Sequence, residues 1–215
     1  MAVVLAVVAL GRTQPQTKPT GPNTQFKDPG TRTPGKPDIE VPAKVIIECE
    51  KPSKLEDKAS DDKVAMRIGS AHLGKRIGYL EIPDGWINTC VAEKVKVNDH
   101  GGDLPGKAYY DFEAPRDDTY YLFLRAKWYD SCGDSVWLRL DAGPFDGIED
   151  TIGEIDAHSY RWAWHPLMDK GQLKPFKLSA GKHTLVLATK EDGPLFDKVL
   201  LSTDATAPLE DVVDP

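Results

Sequence analysis

Residues 181–204 read GKHTLVLATKEDGPLFDKVLLSTD. Two apolar runs, each bounded by polar residues, flank the break KEDGP, and the spacing predicts two strands joined by a tight loop. One residue is out of keeping: Asp197 opens the second run, where a strand entering a core would be expected to carry an apolar side chain.

Working outward, the same period of two recurs. In TYYLFLRAKW (119–128), Tyr120, Leu122, Leu124 and Ala126 alternate with Tyr121, Phe123, Arg125 and Lys127. SVWLRLD sets Val136, Leu138 and Leu140 inward against Trp137, Arg139 and Asp141. KAYYDFEAP sets Ala108, Tyr110 and Phe112 against Tyr109, Asp111 and Glu113, and GYLEIPDG sets Leu80 and Ile82 against Tyr79 and Glu81. Short alternating runs punctuated by Gly, Pro and Asp predict an all-β chain, an antiparallel β-sandwich or jelly roll. No stretch carries a helical repeat. The longest excursion within the strand-rich region is 141–166, and excursions of that length commonly carry function.

With 215 residues, 40% of them hydrophobic, the chain can build one ordinary core. Its 34 acidic residues outnumber 27 basic ones, a net charge of -7 that repels a phosphate backbone and disfavours nucleic acid as a partner. Residues 1–11, MAVVLAVVALG, are continuously apolar, too short to span a bilayer and of signal-peptide length. They read first as a removed secretory segment, so the protein is expected outside the cell or at its surface. The second reading is a donor strand that completes a neighbour's sheet and so builds a fibre or surface assembly by self-association. Residues 12–44 hold Pro at seven positions among Thr, Gly and Lys and read as an extended linker. The β-sandwich is expected over 45–204 and an acidic tail over 205–215. Cys90 and Cys132 lie in loop-like contexts and Cys49 in an apolar strand. Either Cys90 and Cys132 form a disulfide over a buried Cys49 thiol, or all three are reduced.

Signatures of catalysis are missing: there is no G-x-S-x-G, H-E-x-x-H, P-loop or dinucleotide fingerprint, and the five histidines are scattered. The expectation is a protein that is not an enzyme. The aromatics say more. Trp162 and Trp164 in YRWAWHP share a face of an extended chain, and Trp128 and Tyr129 follow a strand directly. Aromatic faces suit the axial C–H bonds of pyranose rings, although tryptophans also fill sandwich cores.

In order along the chain stand ECE (48–50), GKAYYDFEAPRDDTYYLFLRAKW, GDSVWLRLD, WAW and LSAGKHTLVLATKEDGPLFDKVLLS. This series resembles the carbohydrate-binding modules of families six and thirty-five, over residues 45 to 204. Lys190 replaces the usual Arg before EDG, and Asp118-Thr119 the usual Gly before Tyr. The resemblance implies a non-catalytic β-sandwich that binds a polysaccharide or glycan. It also implies a Ca²⁺ ion fastening the first strand to the last, with Glu48, Glu50 and Asp197 as ligands. Sugar would be met by Trp128, Tyr129, Trp162 and Trp164, with Asp134, Glu191 and Asp192 as polar partners.

Overall fold

The computed structural model describes residues 41–58, 64–73, 75–85, 105–130, 133–149 and 161–206, and among them are fourteen strands and no helix. Residues 1–40, Cys90, Cys132 and most of the acidic tail lie outside the described residues, so the donor strand, the linker as far as residue 40 and the disulfide do too.

Two antiparallel sheets form the body. The seven-stranded sheet runs in the order β12 (Pro175–Leu178), β6 (Asp118–Lys127), β14 (Leu195–Ser202), β4 (Lys75–Glu81) and β3 (Arg67–Leu73); β1 (Lys44–Glu48) also pairs with β14, and β9 (Ala163–Pro166) with β6. The five-stranded sheet runs β2 (Lys54–Glu56), β5 (Lys107–Ala114), β13 (Gly181–Ala188), β7 (Ser135–Leu140) and β8 (Asp146–Glu149). Strands β8 and β9 both lie inside the 141–166 excursion. A small hairpin, β10 (Met168–Asp169) with β11 (Gln172–Leu173), turns on Lys170 and Gly171, both at positive φ, as a two-residue hairpin turn of the mirror-image type requires.

The alternation decides the core. Tyr120, Leu122, Leu124 and Ala126 of β6 face Tyr110, Leu138, Leu185 and Leu187 of the other sheet, all buried in one cluster. Cys49 is buried in the same cluster as a free thiol. Val186 and Ala188 of β13 take the outward register yet are also buried, because Tyr109, Trp137 and Arg139 stand beside them on the flanking strands.

Asp197 sits at a seam. On its β6 side the register shifts between Phe196 and Lys198, so Asp197 is the extra residue of a bulge. On the other side β14 changes partner there, from β4 at Leu195 and Phe196 to β1 from Lys198 onward. The bulge brings its carboxylate to the Arg125 guanidinium, whose Nη1 donates to Asp197 Oδ2 at 2.6 Å. The strand opens on an acid because the neighbouring strand buries a base.

Candidate functional site

At one end of the sandwich three loop segments meet: 82–85 after β4, the described residues 128–130 and 133–134 between β6 and β7, and 189–194 between β13 and β14. Backbone bonds tie the first to the third, with Gly193 N–H donating to Ile82 O at 2.8 Å and Ile82 N–H to Pro194 O at 3.1 Å. The other two touch through glycines. A Cβ on Gly133 would come within 2.4 Å of Asp192 O, and one on Gly193, whose φ is +101°, within 2.8 Å of Tyr129 Cβ. Tyr129 thus rests directly on backbone, and its residue remains 41% exposed.

Two of the three acidic residues expected to hold sugar hydroxyls, Glu191 and Asp192, hold this loop end together. Glu191 Oε2 accepts from Asp134 N–H at 3.1 Å and from Ser135 Oγ at 2.5 Å, and Asp192 Oδ2 accepts from Gly85 N–H at 3.0 Å. Carboxylates accepting backbone N–H groups are strong loop fasteners, and here they fix the loops that carry Tyr129.

Trp128, expected as a stacking platform, is 1% exposed, and Trp162 is 6% exposed. Trp128 lies against His165 and Phe196, and its Nε1 donates to His165 Nδ1 at 3.3 Å. The reason is parity: Trp128 prolongs the inward series Tyr120, Leu122, Leu124, Ala126, a signal the sequence carried. Trp162 lies on the outer side of the seven-stranded sheet, 5.5 Å from the Arg125 guanidinium and 6.3 Å from the Tyr79 ring. Trp164, half-buried, packs with Phe123, Leu200 and Leu173, and its Nε1 is buried without a hydrogen-bond partner. Of the four aromatics singled out, Tyr129 alone is exposed.

Glu48, Glu50 and Asp197 do not assemble as metal ligands. Asp197 is matched by Arg125, and Lys198 Nζ stands between it and Glu48, at 3.8 and 3.9 Å. Among the described residues no three His, Cys, Asp or Glu side chains stand together as a metal ion requires. Glu50 has an unmet oxygen, since its Oε2 is buried with no hydrogen-bond partner.

Sequence reasoning passed over the outer side of the five-stranded sheet. Tyr109 of β5, Val186 of β13 and Arg139 of β7 lie in one row across it, and Trp137 sits one row nearer the loop end, its ring against Gly147. At the opposite end of that sheet an open hollow of about 550 Å³ is lined by Asp111, Glu113, Asp141, Lys182 and His183, among others. There His183 Nδ1 lies 2.8 Å from Asp141 Oδ2 and Nε2 lies 2.9 Å from Ser179 O. With Asp141 ionised both partners only accept, so this geometry suits an imidazole that donates from both ring nitrogens. The Asp141 hydrogen bond raises the His183 pKa; burial opposes this and the Ser179 carbonyl supports it. For Asp141 burial pushes upward, but the bonds from His183 and Thr184 outweigh it and hold the carboxyl below its ordinary range.

No protein-family model matches this sequence, and no curated protein does. Solved carbohydrate-binding modules resemble it. One is the module from Cellvibrio mixtus lichenase 5A in complex with cellotriose, with 14% identity, TM-score 0.44, and 74% of this chain and 97% of that one covered. Another is a family 35 module from Clostridium thermocellum, with 14% identity, TM-score 0.42 and coverage of 74% and 98%. A third is the GH26-CBM35 β-(1,4)-mannanase of Podospora anserina, with 15% identity, TM-score 0.48 and 77% of this chain covered; the chain spans 29% of that protein. The likeness is one of fold.

Proposed function

We propose that this β-sandwich is a non-catalytic module that binds a glycan at the loop end, with the Tyr129 ring as the surface on which a pyranose stacks. The observation that carries this is the mounting of Tyr129, an exposed aromatic seated on the backbone of Gly133 and Gly193 by loops cross-linked through Glu191 and Asp192. A ring fixed before the ligand arrives loses little freedom on binding, and a single such anchor can carry a large share of the affinity. Work on polysaccharide implies a place outside the cell or at its surface, which locating a tagged full chain in its native cell would check.

Calorimetry of the whole chain against neutral mannans, glucans and galactans tests the reading. Saturable binding lost in Tyr129→Ala is expected, and binding indifferent to that change would overturn the site. The titrations are run in EGTA and in excess calcium. A requirement for calcium would point to Glu50, the carboxylate with an oxygen to offer.

A further inference from the structure

Among the described residues, most strands with one open edge carry features that discourage further pairing. β2 has three residues and β8 four; β9 ends on Pro166, β12 begins on Pro175, and β1 has a charged residue at each end. β3 has none of these. It is seven residues long, lacks proline, and pairs along its whole length with β4 alone. Beneath it the sheet is thin. β4 meets β14 only at Glu81 and Leu80, so from Tyr79 to Lys75 the β3–β4 hairpin is a two-stranded ribbon among the described residues. A ribbon of two strands is marginal in water, and a third strand makes it stable.

The side chains at this edge are arranged for such an addition. Ile68 is opposite the buried Leu80 and so takes the core-facing register, yet it is 44% exposed. On the other face the Tyr79 ring lies over β3: a Cβ on Gly69 would come within 2.2 Å of Tyr79 Cε2 and 2.8 Å of its hydroxyl oxygen. A strand laid beside β3 would therefore cover Ile68 on one face and meet the Tyr79 ring on the other. The one basic group at the start of the strand is already answered, since Arg67 Nε and Nη2 donate to Glu81 at 2.7 and 2.9 Å.

We propose that β3 pairs with β3 of a second copy, antiparallel about a two-fold axis at Ser70, so that two seven-stranded sheets become one. Centring on the exposed Ser70 is the register that uses the whole strand. It sets Arg67 opposite Leu73, Ile68 opposite His72 and Gly69 opposite Ala71, with no like charges directly opposed. Each ribbon gains from its mate the strands it lacks, in the order β4, β3, β3, β4, and the contact closes on itself as a two-fold interface does. The loop end starts where β4 ends, at Glu81 opposite Arg67, so the pair would carry its two Tyr129 rings away from each other.

A single pair of strands is a small interface of the weak, reversible class, so sedimentation of the full chain is followed from about 1 μM to about 1 mM. A rise from monomer to dimer mass is expected over that range. Ile68→Lys, which charges the edge, should weaken association at least about tenfold with the melting temperature preserved. Directly opposed residues stand about 4.5–5.5 Å apart between Cα atoms, within reach of a disulfide. Ser70→Cys should thus link two chains under diamide, while the native chain and Asp169→Cys, exposed on β10, should not. Should Ile68→Lys lower the melting temperature, the Ser70→Cys link decides. A monomer throughout, a dimer indifferent to Ile68→Lys, or Ser70→Cys linking no faster than Asp169→Cys overturns the proposal. A dimer lost on deleting residues 1–11 would give the edge to the N-terminal segment and overturn it too.

Discussion

Arg125 and Asp197, 72 positions apart, form an ion pair with side chains 6% and 5% exposed, at the point where β14 leaves β4 and takes up β1. The pair has Trp162 against the guanidinium and Cys49 N–H on the Asp197 carbonyl at 2.8 Å, so the charges sit at the junction of three strands. Removing one partner leaves the other buried and unmatched. Asp197→Ala is expected to destabilise the fold by about 3–5 kcal/mol in urea unfolding, and replacing both residues by apolar ones of similar volume to recover most of that loss. A single substitution costing under about 1 kcal/mol would show that the pair is not buried in solution.

Trp128 and Tyr129 are neighbours with opposite duties. Trp128→Ala should cost about 3–5 kcal/mol of stability, since it empties a site between His165 and Phe196 in the core. Tyr129→Ala should cost about 1 kcal/mol or less while removing glycan binding. Chemical unfolding and calorimetry on the two variants separate the duties, and a reversal of the two outcomes would move the site into what is taken here for core.

His183 sets a pH dependence of definite sign. Its folded pKa is raised above 6.5, so its bonds to Asp141 and Ser179 contribute fully below that pH and are lost as pH rises through the folded value. Asp141, held low, contributes above its unfolded pKa of about 3.9 and loses that contribution as pH falls through its folded value. Asp111 and Glu113 on β5 and Lys182 on β13 also line the hollow. Unfolding free energy measured from pH 5 to 9 should fall on the alkaline side in the native chain, and this fall should be absent in His183→Gln. Equal profiles would mean that the imidazole is neutral in the fold.

Arg125 already answers the charge of Asp197, so chelation with EGTA is expected to leave the melting temperature unchanged. A rise in excess calcium that disappears in Glu50→Gln would instead show that the unmet Glu50 oxygen receives an ion, with the gain following the ratio of free calcium to its dissociation constant.

Strands were legible in the sequence wherever one face is buried, because burial imposes the period of two that Tyr120 to Ala126 and Val136 to Leu140 display. Continued one step further, the same parity would have sent Trp128 inward. Asp197 was legible as an anomaly and not as a partner of Arg125, since the bulge that joins them is a property of three strands and leaves no mark in any one of them. Tyr129 was legible as a candidate by its residue type, and the structure leaves it exposed. Its seat on Gly133 and Gly193 was not legible, since a glycine reads as a turn until another loop is seen against it.

Lys44 pairs with Ser202, and beyond them Ala43 and Thr203 bond to each other twice, Ala43 N–H to Thr203 Oγ1 and Thr203 N–H to Ala43 O, both at 3.0 Å. The polypeptide therefore enters and leaves the sandwich side by side. Tension applied through both flanking segments would meet β1 and β14 at their shared end and part them one residue pair at a time, like a zip, instead of shearing all five pairs at once. The sandwich should thus yield readily to a pull through its own backbone, and a tether on one flank alone would leave this seam unloaded.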